Sequence, residues 1–141
     1  MNQGPGNFSG LRGSLATAKG VSLAKNLNLF GYNTFIWSCA KFFNKKDSIF
    51  CLIKFREKYF VKKFDTKLVS QTKAEEITKE KILKKYNNDF IVITKNTAKY
   101  IDNEILKLKN IIIVNLNHNE LEFLRSNDLL EKRLIRPIYL I

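Results

Sequence analysis

Apolar and polar positions follow one another along this chain in blocks, and the period of each block predicts an element. Met1–Gly10 is rich in Gly, Asn, Pro and Ser and reads as a loose lead. From Leu11 to Phe30 the spacing is that of a helix. Leu15, Ala18, Ala24, Leu27 and Phe30 can share one face, and Gly31 is placed to cap the end. Gly20 lies inside this helix, where a glycine is either a weak point or a close-packing position. Tyr32–Phe43 is aromatic, centred on Phe35, Ile36 and Trp37, and predicts a strand. Asn44–Asp47 is a turn.

Two further strands follow, Ser48–Phe55 and Lys58–Phe64, joined by Arg56 and Glu57 as an antiparallel hairpin. Lys67–Thr72 connects them to an amphipathic helix over Lys73–Tyr86, with Ile77, Ile82 and Leu83 on its apolar side. Asp89–Thr94 and Asn110–Leu116 have unbroken apolar centres, Phe90–Ile93 and Ile111–Val114, as buried parallel strands do. The helix Thr97–Leu108 lies between them, with Tyr100, Ile101, Ile105 and Leu108 inward. A last helix falls within Asn119–Leu134, and Pro137 precedes the apolar tail Ile138–Ile141. The order predicts an α/β fold: a mixed central sheet flanked by helices on both faces, with a right-handed β-α-β unit in its second half. At 141 residues the chain supports one domain, residues 11–141, behind the lead.

Composition adds charge to this picture. The chain carries 25 Lys and Arg against 13 Asp and Glu, a net charge of +12, and only five of the basic residues are Arg. Lysine binds phosphate as a point charge, so contact with a nucleic-acid backbone is the expected role of the excess. Met1–Lys46 contains no acid at all. An acid-free, Ser-rich opening is also the composition of a mitochondrial transit peptide, the alternative to a first helix in an intracellular, cytoplasmic or nucleoid-associated protein. No run of 18 apolar residues marks a transmembrane helix. Cys39 and Cys51 sit in apolar surroundings and read as buried free thiols. His118 is the only histidine, so His-cluster metal sites and Ser–His–Asp chemistry have too few residues to be built.

The order of elements resembles the restriction endonuclease-like, PD-(D/E)XK superfamily, in its Mrr-type branch. The resemblance rests on Lys19–Gly20 and Gly31–Tyr32 around the first helix and on Asp47 leading into Ser48–Phe55. It rests also on the strand Tyr59-Phe60-Val61-Lys62-Lys63-Phe64, and on Phe90–Thr94 followed by Ile111–Val114. It implies a catalytic set in which Asp47 holds a magnesium ion and Lys63 stabilises charge on the phosphate. Two departures stand against activity. Val61 occupies the place of the acid two before Lys63, and no acid lies on the first helix, where Ala24 stands near the expected Glu. Glu75 or Glu76, at the start of the following helix, is the candidate for a migrated acid.

The resulting expectation is a catalytically inactive nucleic-acid-binding protein of nuclease-like fold, with DNA favoured over RNA and no cofactor. Its binding edge comprises Lys41, Lys45, Lys46, Lys54, Arg56, Lys58, Lys62 and Lys63, with Phe42, Phe43 and Tyr59 interleaved for base stacking. The alternatives are an active magnesium-dependent endonuclease and a structural component of an organellar ribosome or other ribonucleoprotein. A small-molecule enzyme is disfavoured, because no strand is followed by a glycine-rich phosphate loop.

Overall fold

The computed structural model describes residues 1–140. Its framework is a hairpin of two eight-residue strands, β1 (Ser48–Phe55) and β2 (Lys58–Asp65), paired antiparallel with Phe55 opposite Lys58. Arg56 and Glu57 make the turn, as predicted, and Arg56 takes a φ of 50°. The edge strand β3 (Glu75–Ile77) adds antiparallel to β2. The later strands β4 (Ile91–Thr94) and β5 (Ile111–Val114) run parallel to β1, giving the order β3-β2-β1-β4-β5. The chain is thus a mixed five-stranded sheet flanked by helices.

Side chains alternate along β1 and divide the core in two. Ile49, Cys51 and Ile53 pack on one face with Phe35, Cys39 and Leu124, which come from the helices α2 (Thr34–Cys39) and α6 (His118–Ser126). Leu52 packs on the other face with Ile82 of α3 (Lys79–Lys85) and Ile105 of α5 (Asn103–Leu106). A short helix, α4 (Lys95–Ala98), leads away from β4.

Several expectations are corrected. Tyr32–Phe43 is not a strand: it forms α2 and a single 3-10 turn over Ala40–Phe42. All of Phe35–Cys39 is buried, and a segment enclosed on every side shows no period by which helix and strand can be told apart. The cap decides it, because the Asn33 side chain accepts from the Ile36 N–H at 3.0 Å. The helix expected over Lys73–Tyr86 is split into β3 and α3, and Thr78 caps α3 by accepting from the Lys81 N–H. Glu75 and Glu76 therefore lie in an edge strand rather than in a helical first turn. Thr97–Leu108 is likewise broken into the end of α4 and α5.

The first residues are tied down rather than loose. The Gln3 N–H donates to the Tyr32 carbonyl at 2.6 Å and the Gln3 Nε2 to the Arg136 carbonyl at 2.9 Å, while the Ile138 N–H donates to the Gln3 carbonyl at 2.7 Å. The first helix, α1 (Phe8–Lys25), starts earlier than expected, with Asn7 as its cap. It also ends earlier, at Asn26 in the left-handed region (φ 51°), where the Leu27 N–H closes on the Ser22 carbonyl. Gly31 pairs instead with Glu131. Of the apolar tail, Ile141 lies outside the described residues. Among the described residues no helix is long and apolar enough to cross a membrane.

Candidate interaction surface

The residues expected to cut or bind a phosphodiester are distributed as follows. Asp47 is exposed in the loop before β1. Lys63 lies on β2, on the face shared by Tyr59 and Val61, and its ammonium sits 5.5 Å from the centre of the Phe50 ring. Glu75 stands opposite Val61 and so shares that face. Glu76 is opposite Phe60, and its carboxylate meets Lys58 at 2.8 Å. Among the described residues no three His, Cys, Asp or Glu side chains gather closely enough to hold a metal ion.

The expected binding edge is not one face. Period-two alternation places Lys62 with Phe60 and Phe64 on one side of the sheet and Lys63 on the other. Most of these cations cover rings of the fold: Lys46 lies 4.7 Å from the Phe90 centroid, Lys54 5.4 Å from Tyr59 and Arg56 5.4 Å from Phe55. Lys41 lies over Phe42, and Lys45 is exposed. Lys62 is half-buried, and that burial holds its ammonium pKa below the usual lysine value. The aromatics proposed for stacking are packed: Phe42 edge-on to Phe90, Phe43 edge-on to Phe123, and Tyr59 buried with its hydroxyl accepting from the Asp102 N–H. Cys39 and Cys51 are free and buried, and burial pushes the Cys39 thiol up. His118 packs its ring against Trp37.

Helix α1 stands largely apart from the other helices and strands. No strand or other helix packs extensively along its 18 residues. Leu11 is its only buried residue, and Leu15, Ala18 and Ser22 continue that inner line at helical spacing, half-buried. A groove lined by Arg12, Leu15, Ala16, Lys19, Pro137 and Tyr139 runs between α1 and the C-terminal segment.

The outer line is Gly13, Ala16, Gly20, Leu23 and then Leu27 just past the cap, at alternating steps of three and four residues. Leu23 is 84% exposed and Leu27 58%. A Cβ built on Gly13 or Gly20 meets nothing within 4 Å. Each glycine costs a helix interior about 1 kcal/mol relative to alanine. Among the described residues no contact accounts for either. Arg12 and Lys19 lie along one side of the line, toward the C-terminal segment, and the helix carries no acid.

The sequence reading singled out Gly20 but turned Ala24 and Leu27 inward with Leu15 and Ala18. The helix is nearly as apolar outside as inside, so its pattern alone does not choose the face. Gly13 and Leu23 were missed for the same reason, although the three-and-four spacing of small and apolar residues was their signal.

No protein-family model and no curated protein matches the chain. Solved structures do. An uncharacterized protein from Pseudomonas aeruginosa, described as similar to peptidase YeaZ, superposes with a TM-score of 0.64 at 12% identity, over 99% of this chain and 71% of its own. YeaZ from Pseudomonas aeruginosa superposes with a TM-score of 0.63 at 13% identity, over 99% of this chain and 72% of its own. At that identity the likeness is one of fold. It corrects the restriction endonuclease-like, Mrr-type assignment, whose core was read with a strand where α2 stands. With that core go the functions drawn from it: the inactive nuclease-like nucleic-acid binder, the active endonuclease and the ribonucleoprotein component.

Proposed function

We propose that this chain is a protein-docking module of YeaZ-like fold that receives a helix of a partner protein on the outer face of α1. The observation that carries the reading is the pair of interior glycines, Gly13 and Gly20, open to solvent on a line with Leu23 and Leu27. Small residues along a helix let a second helix approach closely, and the leucines supply apolar area at the end of the seam. Such a contact repays a helix that isolated propensity supports poorly, since most helical stability comes from packing.

Charge selects the partner. Arg12 and Lys19 lie along one side of the seam, and no acid lies anywhere in Met1–Lys46. A second copy of this chain would bring one basic flank against another. A partner helix with acidic residues beside an apolar stripe is complementary. The peptidase activity in the description of one neighbour gains no support from the side chains here: both thiols are sealed in the core, and His118 is held against Trp37.

The test is a photo-cross-linker in place of Leu23 in the native host, followed by identification of the adduct and reconstitution with the purified partner. A single protein with an acidic helical surface is expected, and Gly20→Leu weakens its binding at least tenfold while the circular dichroism of the chain is unchanged. Adducts with a second copy alone, or binding indifferent to Gly20→Leu, would overturn the reading.

A further inference from the structure

The sheet has two edges, and they differ. At one, β3 is three residues long and carries Glu75 and Glu76, with Glu76 paired to Lys58. Short length and charge are the devices by which an edge is closed to further pairing. At the other, β5 is Ile111-Ile112-Ile113-Val114, with no charge, proline or bulge. Asn110–Asn119 around it holds no Lys, Arg, Asp or Glu. Ile112 is 36% exposed and Ile113 51%.

The backbone of this edge has capacity to spare. The Ile91 N–H donates to the Asn110 carbonyl, so Asn110 turns its polar groups toward β4. Strand groups alternate, so Ile112 faces β4 too, and Ile113 faces outward. Among the described residues, neither the N–H nor the carbonyl of Ile113 has a hydrogen-bond partner on that side.

We infer that β5 pairs antiparallel with the β5 of a second copy, joining two sheets into one of ten strands across a two-fold axis. Antiparallel partners must both face the seam, which allows Ile113 to sit opposite the partner's Ile113. Ile112 then lies opposite the partner's Val114, Ile111 opposite the partner's Asn115, and Lys109 opposite the partner's Asn117. No charge meets a like charge.

The net charge of +12 argues against self-association in general, but the paired segment Asn110–Asn119 carries none of it, and Lys109 just before it comes opposite an asparagine. The basic hairpin residues lie on β1 and β2, toward the far edge. Seven inter-strand steps of about 4.8 Å would separate the two β2 strands, about 34 Å in all. That is several times the Debye length of about 8 Å at physiological salt.

The experiment is sedimentation equilibrium of the full chain, up to on the order of 100 μM, where weak pairing is populated. The mass is expected to rise from 16.4 kDa toward twice that value. Ile113→Lys should hold the chain as a monomer, with the wild-type melting temperature at a dilution where both chains are monomers, and Leu23→Glu should leave the dimer intact. As a second reading, Ile113→Cys should give a disulfide-linked dimer with glutathione disulfide, because hydrogen-bonded antiparallel partners sit about 5.5 Å apart. Exposed Tyr100→Cys should not. A monomer throughout, a dimer that survives Ile113→Lys, or one abolished by Leu23→Glu would each overturn the inference.

Discussion

Lys62 is the cation of the expected binding edge that the fold itself holds back from solvent. It stands opposite Cys51 in the β1–β2 ladder, on the core face between Phe60 and Phe64. Burial lowers its pKa, with a smaller opposing influence from Cys51. A lysine whose folded pKa lies below its unfolded value costs stability while it must stay charged. The unfolded chain binds the proton more tightly between the two values, so that cost is relieved as pH rises toward 10.5. Lys62→Met should therefore stabilise the chain at pH 7 by about 0.5 kcal/mol, a modest figure because the group is only half-buried. The advantage should shrink toward pH 10, as urea melts at the two pH values would show. A variant no more stable at pH 7, or an advantage that grows with pH, would contradict the burial argument. Phe35 makes the opposite point: it is fully enclosed, and Phe35→Ala should cost about 3–5 kcal/mol in the same measurement.

At the scale of elements, α1 separates folding from function. Gly13→Ala and Gly20→Ala each add a methyl group that meets nothing within 4 Å. Each should stabilise the isolated chain by about 0.5–1 kcal/mol in denaturant melts. The same methyl groups would stand in the seam, so both variants should bind the docking partner more weakly. Stabilisation together with unweakened binding would remove the reason for the glycines. The strands β1, β2, β4 and β5 were all legible in the sequence, because β1 and β2 are bounded by clear turn residues and β4 and β5 are unbroken apolar runs. α2 was not, since full burial erased its period. β3 was absorbed into α3 because Glu75, Glu76 and Ile77 suit the first turn of a helix as well as an edge strand. The capping residues Asn33 and Thr78 marked both true helix starts.

For the molecule as a whole, the sheet order decides what surface charge can do. It places the basic hairpin beside the acidic β3 edge, divides Lys62 from Lys63 by the thickness of the sheet, and leaves uncharged surface on β5 and along the outer line of α1. Net charge was legible in the sequence, but its distribution over two faces was not, because that depends on strand neighbours distant in the chain. The mixed sheet with flanking helices was legible, whereas the family drawn from it was not. A shared order of weakly marked elements fits more than one topology, and the error at Tyr32–Phe43 was enough to select the wrong one. The docking role of α1 is tested most directly by amide hydrogen exchange across Phe8–Lys25, in the free chain and in complex with the cross-linked partner. α1 should exchange far faster than β1 and β4 in the free chain, and the turns bearing Gly13, Ala16, Gly20 and Leu23 should slow to the level of the core in the complex. An α1 already protected like the core when free, or unchanged by the partner, would contradict it.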